Sequence, residues 1–155
     1  IMGRVEERIK ELGYEIPEGP TPVAAYVVAA PAVEGLLFVS GQTAVVDGKE
    51  KYIGVVGKEI SVEEAYDAAR IAALRLIAEV KAVIGDLDRV ERIVKVNGYV
   101  NAVPGFGQQP KVINGASELF EAVFEEKGKH ARCAIGVGSL PSNAPVEVEM
   151  VVTYK

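Results

Sequence analysis

One cysteine and one histidine are all that this 155-residue chain brings to thiol or imidazole chemistry. A disulfide within the chain is therefore excluded, and a Cys/His zinc site is not credible. The cysteine count permits a reducing compartment. Cations are also scarce. The 17 Lys and Arg are outnumbered by 22 Asp and Glu, and a net charge of −5 argues against a nucleic-acid footprint, which needs clustered Lys and Arg. No block of like charge exceeds two or three residues, so the charges read as solvated faces. No apolar run reaches membrane-spanning length. The N-terminus, Ile1 to Glu11, is charged and lacks the apolar core of a signal peptide, which makes the cytoplasm the expected compartment. The G-x-S-x-G frame of a nucleophile elbow is missing. Gly105-Phe106-Gly107 is too short a glycine signal for phosphate binding.

What is present is an ordinary globular composition, 49% apolar and 25% charged. The length fits one domain, residues 1–155, with a sizeable core. Within it, residues 1–22 read as an N-terminal helix and a Pro-rich linker, and residues 23–155 as the core. In the helix, residues 3–12, Val5, Ile9 and Leu12 share one face and Gly13 acts as the stop. Pro17, Pro20 and Pro22 keep the linker extended.

Strands are predicted over 24–30 and 36–40, around a turn at Pro31 to Gly35. Val45-Val46 is a short strand with Asp47-Gly48 as its turn. A long helix starts at Ser61, where Ser61 and Glu64 form a capping box, and Gly85 ends it. Its stripe of Ala65, Ala69, Ala72, Leu76 and Val80 implies close approach to a flat surface such as a sheet. Residues 90–100 alternate as a central strand, with Val90, Val94, Val96 and Val100 on one face. Pro110 opens another helix that runs to about Lys127, with Gly128 as its stop. Two final strands cover 131–137 and the stretch from Val146 onward.

This order predicts an α+β layer fold, a mixed sheet with two helices packed on one face. The other face also carries apolar residues, and a cyclic oligomer that covers it is the economical solution.

The last two strands hold the most suggestive residues. Arg132 shares its strand face with Ala134, Gly136 and Gly138. Small neighbours leave room for a carboxylate beside the guanidinium, a charge-assisted contact worth roughly 1.5–3 kcal/mol. A surface ion pair would explain the Arg equally well. Glu147 lies in a largely apolar strand, which suits an acid or base. A direct Arg132–Glu147 bridge fails on register. In a hairpin around 139–145, Arg132 would face Val152, and Glu147 would lie roughly 16 Å further along.

Weaker candidates surround these two. Ser40, in Ser40-Gly41-Gln42 at a strand end, is either a turn residue or a hydroxyl at a sheet edge. Tyr26 reads as half-buried packing, and Asn114, early in a helix, as an exposed polar residue. Cys133 points to the face opposite Arg132 and reads as a small buried hydrophobe. His130, in a charged loop, is assigned no role.

Taken jointly, Phe38-Val39-Ser40-Gly41-Gln42, the helix with Asn114 and Glu118, Ala131-Arg132, Leu140-Pro141 and Val146-Glu147-Val148-Glu149 resemble the reactive intermediate deaminase family (RidA/YjgF, some members named L-PSP endoribonuclease). The similarity spans roughly residues 23–155, with Arg132 fifteen and Pro141 six positions before Glu147. The resemblance implies a chorismate-mutase-like fold and a homotrimer with a barrel-like centre and sites between subunits. Its final strand would not pair with the strand before it. It implies hydrolysis of 2-imino acids to 2-oxo acids and ammonia, with no metal or organic cofactor. Arg132 would hold the substrate carboxylate and Glu147 would orient or activate water. The backbone near Ala134 would contact the imine nitrogen, and Tyr26, Ser40 and Asn114 would line the pocket.

Two departures qualify the resemblance. The family's pocket cysteine sits two residues after the Arg, where this chain has Ala134. The first twenty or so residues resemble those of a longer subgroup. A non-catalytic trimer that binds small carboxylates is the alternative. A ribonuclease or translation inhibitor is disfavoured by the charge and the single histidine.

Overall fold

The strand nearest the C-terminal end occupies the middle of the sheet. The computed structural model describes residues 2–155; Ile1, which opens the expected N-terminal segment, lies outside the described residues. Three helices, α1 (Arg4–Glu11), α2 (Val62–Ile84) and α3 (Gln109–Phe124), accompany seven strands. These are β1 (Ala29–Pro31), β2 (Leu36–Gln42), β3 (Val45–Val46), β4 (Lys49–Glu50), β5 (Val90–Asn101), β6 (Ala131–Val137) and β7 (Val146–Tyr154). Five form one mixed sheet in the order β1-β2-β7-β5-β6, and β3 and β4 form a separate hairpin. Strand β6 runs parallel to β5, while β7 is antiparallel to both β2 and β5. The last two strands are therefore not neighbours, as the family resemblance implied.

Local chemistry explains the helices. Ser61 Oγ accepts from the Glu64 amide at 3.1 Å, and Glu64 Oε2 accepts from the Ser61 amide at 2.8 Å, which completes the predicted capping box. Gly85 closes α2 with φ 84°. The alanine stripe of α2 is buried. Helix α3 meets α2 through Gly115, where an added Cβ would run into the Tyr66 carbonyl. Both helices cover the sheet face built by Leu37, Val39, Val96, Val100, Val148, Met150 and Val152. Full burial of each such side chain contributes roughly 1.5–3 kcal/mol. Helix α1 has no capping side chain of its own. Asp88 supplies one from a distance, accepting from the Arg4 and Val5 amides at 2.8 and 2.7 Å.

Three expectations need correction. The strand predicted over 24–30 shrinks to Ala29–Pro31, because the Tyr26 amide turns back onto the Ala24 carbonyl at 2.9 Å and breaks the extension. Val94 leaves the face of Val90, Val96 and Val100. The β5–β7 register shifts between Val90 and Arg92 and again between Ile93 and Lys95, so Ile93 is buried and Val94 is exposed. Cys133 is exposed rather than buried, on the sheet face that no helix covers. On that same uncovered face, Phe38 is 50% exposed and Ile135 44%. No helix among the described residues is long and apolar enough to cross a membrane.

Candidate active site

The expected site residues form two groups, which a single chain keeps apart. The first group is on β6 and α3. Arg132 pairs in register with Val96 of β5, so it shares the helix-covered face at the sheet edge. Its NH1 donates to Asn114 Oδ1 at 2.8 Å and to Ser117 Oγ at 3.2 Å, and NH2 reaches the Pro110 carbonyl at 3.5 Å. Asn114 and Ser117 are three apart on α3 and hence side by side. Ala134 continues the same face, partly buried against the core, beside Gly98 of β5. Ile113 presses on Gly98 so closely that a Cβ there would meet its side chain at 2.5 Å.

The second group is on β2 and β7. Glu147 pairs in register with Tyr99 of β5, on the face opposite Arg132. Gly41 lies against it, and Ser40 precedes Gly41 at a register shift between Val39 and Gln42. The Ser40 hydroxyl donates to the Val27 carbonyl at 2.6 Å, next to Tyr26, which is 43% exposed. Among the described residues, no hydrogen bond ends on the Glu147 carboxylate. Burial raises its pKa above the ordinary carboxylate value, and the neighbouring Glu149 and Glu50 raise it further. Glu149 is itself engaged by the Tyr99 hydroxyl at 2.7 Å and by Asn97 Nδ2 at 3.2 Å. That bond to Glu149, with burial, pushes the Tyr99 hydroxyl up to about 12.

Strand β6 lies three positions from β2 across the sheet, about 14 Å at the usual strand spacing. Arg132 and Glu147 also point to opposite faces. One small molecule cannot meet both within a single chain. A cavity of about 600 Å³, whose lining includes Arg4, Arg8, Asp88, Phe124 and Lys127, contains no residue of either group. No group of three or more His, Cys, Asp or Glu among the described residues could hold a metal ion.

Ser117 was absent from the sequence expectations, and His130 carried no role there. Ser117 Oγ lies 2.8 Å from His130 Nε2, so both belong to the surroundings of Arg132. The available signal was the three-residue step from Asn114, which places Ser117 on the Arg-facing side of α3.

A mixed five-stranded sheet with two helices on one face, and polar groups on both of its faces, defines an α+β class shared by many proteins. Residues 6–153 match the family model described as "YjgF/chorismate_mutase-like, putative endoribonuclease", and the chain belongs to this family. It is similar to "Protein TCP17" of Trypanosoma cruzi, 43% identical over 152 residues that span 97% of this chain and 94% of the relative. A "RutC family protein" of Aquifex aeolicus (strain VF5) is 31% identical over 137 residues, 87% of this chain and 93% of the relative. The crystal structure of a protein of unknown function from Agrobacterium tumefaciens superposes with a TM-score of 0.91 at 43% identity, covering 97% of this chain and 92% of that one. The chorismate-mutase-like fold expected from the sequence is thereby shown.

Proposed function

We propose that three copies of this chain assemble around the uncovered sheet face and join the two groups across each subunit boundary. Arg132 and Asn114 of one copy then face Glu147, Ser40 and Tyr26 of the next. The ligand class is a small 2-imino acid, and the reaction is hydrolysis to the 2-oxo acid and ammonia. The exposed Phe38 and Ile135 supply apolar surface for such an assembly.

The carrying observation is the state of the Arg132 guanidinium. NH1 is saturated by Asn114 and Ser117, while NH2 has only a 3.5 Å contact. A carboxylate on the Nε–NH2 edge completes its donors in a bidentate contact. Glu147 supports the chemical half of the reading. Its raised pKa brings it closer to working pH, where one group can both take and return a proton. Glu147 accepts a proton from water as the water oxygen adds to the imine carbon, and returns that proton to the nitrogen to give the carbinolamine. It then takes the hydroxyl proton and delivers it to the nitrogen, so the C–N bond breaks, the carbonyl forms and ammonia leaves. An imine is already electrophilic, so positioning and one acid/base group suffice.

The test is ammonia release from a 2-imino acid generated in situ by an L-amino acid oxidase. Arg132→Ala abolishes the accelerated release in a folded protein. Unchanged turnover in that variant overturns the reading. Wild-type protein that binds pyruvate but accelerates nothing supports a non-catalytic carboxylate binder instead.

A further inference from the structure

The guanidinium of Arg132 needs a fixed orientation to receive a carboxylate, and the only histidine of the chain bears on it. His130 Nδ1 lies 2.6 Å from the Gly128 carbonyl. A carbonyl only accepts, so Nδ1 carries the proton and donates. In the neutral ring Nε2 is then left as an acceptor. Ser117 Oγ is 2.8 Å from that Nε2, so its hydroxyl gives its one proton to His130. The lone pairs of Oγ are thereby turned toward Arg132, whose NH1 donates to it at 3.2 Å. One backbone carbonyl thus sets the direction of three successive hydrogen bonds.

The surroundings keep the relay in this state. Burial lowers the pKa of His130 and the Arg132 charge acts in the same direction, while the Gly128 bond and Glu121 oppose them. Phe120 holds the ring edge to face, with centroids 5.9 Å apart and planes at 88°. Ser117 is 9% exposed, so water has little access to compete for its hydroxyl.

We infer that Ser117 and His130 are positioning residues, which hold the Arg132 guanidinium in the orientation that receives a substrate carboxylate. The inference rests on the carboxylate reading of Arg132; neither Ser117 nor His130 touches the substrate.

The relay has a test that is independent of any ligand. A chain with one histidine gives one imidazole in a ¹⁵N-detected NMR spectrum. Near neutral pH the expected species is the Nδ1–H tautomer with Nε2 unprotonated. A ring protonated on Nε2 overturns the relay whatever Arg132 does. The functional arm measures pyruvate affinity and turnover of the in-situ 2-imino acid. Ser117→Ala raises the pyruvate Kd and the imine KM about tenfold, while kcat stays within about twofold. Ser117→Thr restores both constants. His130→Phe, which keeps an edge contact with Phe120, behaves like Ser117→Ala, and His130→Gln, which retains an acceptor, recovers most of the affinity. Kd and KM unchanged in folded Ser117→Ala and His130→Phe, with binding lost in Arg132→Ala, overturn the positioning role and leave the carboxylate reading standing. A loss confined to kcat or to melting temperature overturns it too. Arg132→Ala that binds pyruvate like wild type overturns both.

Discussion

Gly41 and Glu147 are in contact across β2 and β7, so closely that a Cβ on Gly41 would meet Glu147 Oε1 at 2.5 Å. Gly41 is not among the glycines with positive φ, so its backbone suits any residue and only space is at stake. Gly41→Ala therefore displaces the carboxylate while leaving the strand intact. Imine turnover is expected to fall by about 10–100-fold, with a melting temperature close to wild type. Wild-type turnover in Gly41→Ala contradicts a positioned Glu147.

The separation of Arg132 and Glu147 on opposite sheet faces predicts complementation. If each site takes its Arg from one chain and its Glu from the next, Arg132→Ala and Glu147→Gln are each inactive alone. Random mixed trimers at equal ratio regain about a quarter of the wild-type sites, since each boundary needs an intact Arg on one side and an intact Glu on the other. Co-refolding the two variants and assaying ammonia release checks this. No recovery in a mixture shown by mass to contain hybrids contradicts a shared site.

Glu79 of α2 is fully buried, accepts from Gln42 Nε2 at 2.6 Å, and among the described residues has no partner for its second oxygen. Burial pushes its pKa from 4.5 up to about 8, against the pull of Arg75 and Gln42. The unfolded carboxyl loses its proton above about pH 4.5, whereas the folded one keeps it until near 8. In that window the unfolded state binds fewer protons, so this group lowers stability as pH rises. Glu79→Gln removes that contribution. Melting temperatures across the same window are expected to fall more with pH in wild type than in Glu79→Gln. Parallel curves contradict a protonated Glu79.

Gly115 touches the Tyr66 carbonyl so closely that an added methyl has nowhere to go. Gly115→Ala must push α3 away from α2, and such overpacking costs about 1–3 kcal/mol. Denaturant titration reads the loss directly. A variant as stable as wild type contradicts the close helix contact. Arg132, whose partners Asn114 and Ser117 are on α3, is expected to lose pyruvate affinity in the same variant.

Much of this arrangement was legible in residue patterns. Ser61 and Glu64 announce the start of α2, Gly85 its end, and Ala65, Ala69 and Ala72 its closeness to the sheet, because each signal acts within a few residues. Parity along a strand placed Arg132 opposite Cys133, and register arithmetic argued against a direct Arg132–Glu147 bridge, although the hairpin it assumed does not form. What stayed hidden depends on partners distant in sequence. The β5 register shifts that bury Ile93 and expose Val94 are set by pairing with β7. Asp88 caps α1 from 84 positions away. The His130–Ser117 bond joins a loop to mid-helix, where neither residue type is remarkable alone. Which faces Arg132 and Glu147 share could not be read from either strand separately.

The central place of β7 also shapes how the molecule comes into being. Leu37 pairs with Val152, and Val96 with Met150, so the middle of the sheet is supplied by a strand that follows the other four in sequence. During synthesis β2 and β5 wait for a strand that emerges more than a hundred and forty residues in. Until then Leu37, Val39 and Val96 have helices to lean on but no ladder between them. The local contacts of α2 and α3 can form early, whereas sheet closure belongs to a late, slow step dominated by distant pairings. Nascent chains stalled before Val146 would expose unpaired strand edges and fall to chaperones or aggregation.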